Sequence, residues 1–150
     1  MERLAIVMGL AVVAVAVALW LQRRRPTAEP TAAAWGVPQH LARADFERPS
    51  APWLVVAFTS ETCDVCASVW QRAHVLESDE VAVQNVEAKA DRELHQRYRI
   101  DAVPMVVVAD EQGDVRWNCV GPVTASDLWG ALAEVRRPGT VPPDCSASPD

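Results

Sequence analysis

Residues 53–59 read Trp-Leu-Val-Val-Ala-Phe-Thr, seven uncharged positions dominated by β-branched and aromatic side chains. A run with no polar alternation is the signature of a strand covered on both faces, so the fold must place other elements on each side of a sheet. Four residues after Thr59 comes Cys63-Asp64-Val65-Cys66, and Cys66, Val69, Ala73 and Leu76 then recur at helical spacing. That spacing predicts an amphipathic helix over 63–77. A buried strand thus hands over to a helix whose first turn carries two thiols.

The same alternation continues. Residues 81–86 form a second apolar strand, and Asp91 is a candidate N-cap for a helix with Leu94 and Tyr98 four residues apart. Residues 105–109 (Met-Val-Val-Val-Ala) form a third strong strand. A tight connection over 110–113 leads to a fourth strand at 114–120. Thr124-Ala125-Ser126-Asp127 has the form of a capping box, opening a last helix with a stripe of Leu128, Leu132 and Val135. Upstream, 37–41 is a candidate first strand, followed by a brief turn of helix over 44–47. Strand–helix–strand units imply parallel pairing, and the short link at Gly113 implies an antiparallel hairpin. The expectation is α/β, with a mixed four- to five-stranded sheet between helices.

The position of the cysteines matters more than their spacing. At a helix N-terminus unpaired N–H groups and the macrodipole present partial positive charge, which favours a thiolate, the attacking species in disulfide exchange. Cys63 is the candidate nucleophile, and Cys66, one turn on, is placed to resolve a mixed disulfide. Val103-Pro104 stands just before the third strong strand, where a missing ladder donor is tolerated and an X–Pro bond has access to the cis form.

On these residues the chain resembles the thioredoxin family from about Val37 to Val135, roughly two thirds of its length. The anchors are Ala-Phe-Thr-Ser-Glu-Thr running into Cys63-Asp64-Val65-Cys66, the stretch from Arg97 to Pro104, and Gly121 after the last strand. The resemblance implies a thioredoxin-like three-layer fold in which a cis proline faces the cysteine pair. It implies that Cys63 attacks, Cys66 resolves, and Val103 and Pro104 line a groove for substrate peptide. It implies as partners protein substrates bearing thiols or disulfides, and a reductase or other redox partner. No bound cofactor is expected beyond the redox-active Cys63–Cys66 disulfide. Several positions depart from the family's pattern. Its tryptophan before the first cysteine is Thr62, its Gly-Pro dipeptide is Asp64-Val65, its buried carboxylate is Ala57, and a nearby lysine aligns with Asn85. Thr62 and Asp64 are therefore the expected modulators of the thiol pKa, with the Asp64 charge working against the thiolate. A strongly oxidising couple, well above about −230 mV, is not expected.

Other readings remain for the same residues. One is a peptide-binding adaptor of the same fold that has lost catalysis along with the carboxylate at 57. Another is a purely structural disulfide. A zinc module would need Cys119 and Cys145 as further ligands, although these are 26 residues apart rather than a close pair. Cys119 reads as a small packed residue in the last strand, and Cys145 as an incidental thiol.

Residues 4–21 are uncharged and apolar, and at helical rise they span roughly 27 Å, the thickness of a bilayer's hydrocarbon core. Trp20 and then Arg23, Arg24 and Arg25 close the segment, with no small-residue cleavage site directly after it. The division expected is a single-pass transmembrane anchor and basic stop at 1–25, a linker at 26–36, the thioredoxin-like domain at 37–137 and a Pro-rich disordered tail at 138–150. One arginine before the span against three after it places the domain on the cytoplasmic face of a plasma membrane, an external domain being the alternative. Setting aside Glu2, Arg3, Arg23, Arg24 and Arg25 leaves 10 basic and 19 acidic residues, a net −9 that would repel nucleic acid. Of the 14 cationic residues only Lys89 is lysine, a usage typical of GC-rich bacterial genomes.

Overall fold

In the computed structural model, which describes residues 36–139, the apolar run Trp53–Thr59 is β1. It is followed by α1 (Cys66–His74), β2 (Val81–Glu87), α2 (Arg92–Arg97), β3 (Met105–Ala109), β4 (Val115–Val120) and α3 (Ala125–Arg136). The strands form one sheet in the order β2-β1-β3-β4. β1 runs parallel to β2 and antiparallel to β3, and β3 and β4 form the antiparallel hairpin. The sheet is therefore mixed and four-stranded.

Both faces of β1 and β3 are covered, which is why their sequences show no polar alternation. On one face Val55, Ala57, Val106 and Val108 pack with Val69, Ala73 and Leu76 from α1 and its C-terminal end, and with Leu128 and Leu132 of α3. On the other, Leu54, Val56, Phe58, Met105 and Val107 pack with Leu41, Phe46 and Ala51, flanked by Leu94 and Tyr98. Side chains at odd and even positions of one strand thus enter two different cores, the three-layer arrangement expected. Thr124 accepts the Asp127 N–H at 3.2 Å while the Asp127 carboxylate accepts the Thr124 N–H at 3.1 Å, so the capping box forms at the head of α3.

Three local expectations are corrected. Residues 37–41 do not form a strand; they make a single antiparallel bridge, His40 to Asp114, at the start of β4. Pro38 offers no N–H, and the segment is held by Leu41 N–H to Gly113 O at 2.8 Å and Val115 N–H to Gln39 O at 3.0 Å. The crossing is so close that a Cβ at Gly113 (φ +92°) would lie 2.0 Å from Leu41 O. The short helix expected over 44–47 is a 3-10 turn at Arg43–Asp45, anchored by the buried Arg43 guanidinium on Asp110 O (2.8 Å) and Ala51 O (2.9 Å). The helix expected over 63–77 is shorter at both ends. Cys63 N–H bonds Ser60 O in a preceding turn, and i→i+3 bonds at Leu76 and Glu77 tighten the exit.

The anchor at 1–25, the linker up to 35, the tail from 140 onward and Cys145 lie outside the described residues. Among the described residues no helix is long and apolar enough to cross a membrane.

Candidate functional site

Antiparallel pairing of Phe58 with Met105 brings the exit of β1 and the entrance of β3 to the same end of the sheet. The chain leaving β1 reaches Cys63 four residues later, and Pro104 immediately precedes Met105. The Val103–Pro104 peptide bond is cis. Pro104 O accepts the Gly121 N–H at 2.8 Å, drawing the residue after β4 to this end as well. Arg72 of α1 donates to Val123 O at 3.2 Å, tying the helix to that third segment. Loop 60–65, the Val103–Pro104 bond and the stretch after Gly121 thus gather at one end of the sheet.

Cys63 and Cys66 are joined as a disulfide, with S–S 2.16 Å and Cα–Cα 5.4 Å. Cys66 is the first residue of α1, so Cys63 is not itself helical as its sequence suggested, but its sulfur is bonded to the residue that opens the helix. Cys66 is 3% exposed, whereas Cys63 is only half-buried. Of the two cysteines, Cys63 is the more accessible residue. Thr62 and Asp64 are exposed beside the pair, and Val65 is an exposed apolar residue between the two cysteines. Val103 is half-buried and Pro104 buried. In the zinc reading the two cysteines would be separate thiolate ligands; here each sulfur is bonded to the other.

In the turn that leads to Cys63 the N–H groups of residues 61, 62 and 63 are all engaged. Ser60 O accepts from Cys63 (3.1 Å), Ser60 Oγ from Thr62 (3.3 Å), and Glu87 Oε1 from Glu61 (3.0 Å). Sequence reasoning missed Glu87. The parallel register that pairs Thr59 with Glu87 is what carries it to this loop, and only a correct strand register would have revealed it.

The sheet also shows where the family's charged pair would sit. Ala57 is fully buried and stands opposite Asn85 on β2, so these two positions are neighbours, as the resemblance implied, and both are uncharged. The nearby polar contact is neutral, Thr59 Oγ1 donating to Asn85 Oδ1 at 2.8 Å. Cys119 is a free thiol on β4 opposite Val106, packed against the core beneath α1 and α3. Burial, and then the Asp127 charge, push its thiol pKa up, so it stays neutral.

The fold is thioredoxin-like. A single-substitution mutant of thioredoxin from Halobacterium salinarum NRC-1 superposes with a TM-score of 0.53, at 18% identity, over 71% of this chain and 92% of that one. A solved structure described as a malarial protein superposes at 0.49, with 13% identity, over 55% of this chain and 96% of the other. No known family and no curated protein matches the sequence. At such identity the likeness speaks to the fold alone.

Proposed function

We propose that the chain is a thiol–disulfide oxidoreductase acting on protein substrates, with Cys63 as nucleophile and Cys66 as resolving thiol. The observation that carries this reading is the disulfide itself, between a half-buried Cys63 and a buried Cys66, at the sheet end that also holds the cis Val103–Pro104 bond. In the reducing direction the Cys63 thiolate attacks a substrate disulfide, and the first substrate sulfur leaves as a thiolate and takes up a proton. Cys66 then loses its proton and attacks the Cys63 sulfur of the mixed disulfide, releasing the second substrate sulfur. Two electrons pass from the Cys63/Cys66 dithiol to the substrate, leaving the protein in the oxidised form seen here. A dithiol partner, such as a reductase, returns it to the start. Val103 and Pro104 contribute the groove that receives extended peptide, and Thr62 and Asp64 set the local charge and polarity around the attacking sulfur. No cofactor besides the disulfide takes part.

The 4–21 segment anchors the domain to a plasma membrane as a single span, facing the cytoplasm by its arginine count. A reporter fused after Asp150 tests the sidedness.

The experiment for the chemistry is insulin reduction with wild type, Cys63→Ser and Cys66→Ser. Wild type is expected to be active and Cys63→Ser inactive, and Cys66→Ser is expected to accumulate a mixed disulfide through Cys63. A wild type with no thiol-dependent activity would instead favour a peptide-binding adaptor. The fully buried Ala57, in place of a carboxylate, is the observation behind that second reading.

A further inference from the structure

We infer that Glu87 is a positioning residue that clamps the loop carrying Cys63 to the end of β2. This inference rests on the exchange reading above and assigns it a control point outside the cysteine motif. Glu87 is the last residue of β2 and pairs with Thr59, the last residue of β1. Both of its carboxylate oxygens are used. Oε1 accepts the Glu61 N–H at 3.0 Å, two residues before Cys63, while Oε2 accepts the N–H groups of Lys89 and Ala90, each at 2.8 Å.

The clamp is rooted at its base. The Glu87 N–H bonds Asp91 Oδ2 at 2.9 Å, its carbonyl accepts Asp91 N–H at 2.7 Å, and Ala88 N–H bonds Thr59 O at 2.9 Å. The N–H groups of Ala90, then Glu61 and Lys89, hold the Glu87 carboxyl below the usual carboxylate range, so it is ionised and purely an acceptor at neutral pH. No other side chain substitutes. Glutamine turns an NH2 group toward one of the two sets of donors, and aspartate is one methylene too short to span both.

The functional consequence lies in resolution. After attack, Cys66 must meet the Cys63 sulfur before the mixed disulfide diffuses into other reactions, and that encounter depends on how firmly the 60–63 turn is held. Loosening the turn lowers the effective concentration of one cysteine for the other. The internal disulfide then forms less readily, and the couple becomes less reducing.

The test compares Glu87→Gln, Glu87→Asp and Glu61→Gln in the full chain. Glu61→Gln removes an equal charge from the same loop, where the carboxylate is exposed and meets Lys89 Nζ at 3.5 Å, but it keeps the clamped N–H. Three quantities are read: amide hydrogen exchange at Glu61, the glutathione equilibrium of the Cys63–Cys66 couple, and the insulin-reduction rate. Both Glu87 variants are expected to lose Glu61 amide protection and to shift the glutathione equilibrium roughly three- to tenfold toward the dithiol, the net worth of one hydrogen bond made in the disulfide form and lost in the dithiol. Glu61→Gln is expected to stay within about twofold of wild type. If Glu87→Gln and Glu87→Asp leave Glu61 protected and the equilibrium unmoved, the clamp does not exist. If Glu61→Gln shifts the equilibrium as far as Glu87→Gln, charge and not positioning is responsible. Amide exchange and the glutathione equilibrium need no protein substrate, so they decide the clamp even if wild type proves inactive on insulin, a result that overturns the functional reading alone.

Discussion

Reducing the Cys63–Cys66 disulfide should leave the domain folded. The bridge joins residues three apart, so the loop it closes has four residues. In the chain-entropy account a loop that short stabilises by roughly 2 kcal/mol, against close to 5 for a hundred-residue loop. The fold has far larger resources. Phe58, Leu54, Val56, Met105, Val106 and Leu128 are all fully buried, and each such side chain contributes about 1.5–3 kcal/mol. Any two of them outweigh the bridge. Once reduced, Cys66 keeps a similar volume in the same packed position. A protein that cycles between dithiol and disulfide must be native in both states, so this arithmetic bears directly on function. Urea unfolding followed by tryptophan fluorescence, with and without excess reductant, is the assay. The reduced form should keep a single cooperative transition with a midpoint lowered by about 1–2 M at most. Loss of the cooperative transition on reduction would show the disulfide to be a structural staple and refute the reasoning.

Two further perturbations test the frame that presents the site. Gly113→Ala forces a Cβ onto Leu41 O at a residue with φ +92°, and should lower stability by about 2 kcal/mol or more, read as a drop in thermal midpoint; an unchanged midpoint would mean the 39–41 segment does not cross there. Tyr98 donates to Asp45 at 2.5 Å, and burial followed by that hydrogen bond pushes its pKa from 10.0 to about 12. Because the folded pKa is the higher one, the stabilisation is complete below pH 10 and fades as pH rises toward 12. Asp45 has the opposite sign: the Tyr98 hydrogen bond, and then Arg97, hold its pKa below the ordinary value, so its stabilisation is present above that value and disappears as pH falls through the lowered one. Tyr98→Phe should therefore flatten the alkaline limb of a urea-midpoint profile and shrink the acid limb; two unaltered limbs would dismiss the Tyr98–Asp45 contact.

What could be read from the sequence was whatever leaves a local pattern. β1 and β3 were legible because burial on both faces removes the polar alternation of a strand, and the capping box of α3 because its two partners stand three residues apart. The cysteine pair and the proline were legible as types of residue, while their meeting at one end of the sheet required the antiparallel register of Phe58 with Met105. Residues 37–41 (Val-Pro-Gln-His-Leu) misled because so short a segment reads alike whether it pairs along its length or touches a neighbour once. Asp91 is the N-cap residue of α2 as its sequence suggested, but its carboxylate makes no cap bond and turns back to the Glu87 N–H, a choice that depends on how β2 ends. Glu87 leaves no local trace at all, since its partner at Glu61 is 26 residues away and they meet only through a strand pairing.

β2 lies at the edge of the sheet among the described residues, and its entrance is dressed by a neighbouring arginine. Arg48, in a left-handed conformation (φ +50°), donates to Val81 O at 3.2 Å, Ser78 O at 2.8 Å and Asp79 O at 2.7 Å, while Glu47 N–H engages the Gln84 side chain at 2.8 Å. A strand from another molecule approaching this border would find its first acceptors already occupied and a cation in its way. Bare strand borders invite chains to stack into aggregates. A guanidinium seated over the opening carbonyls obstructs that approach at the start of this border.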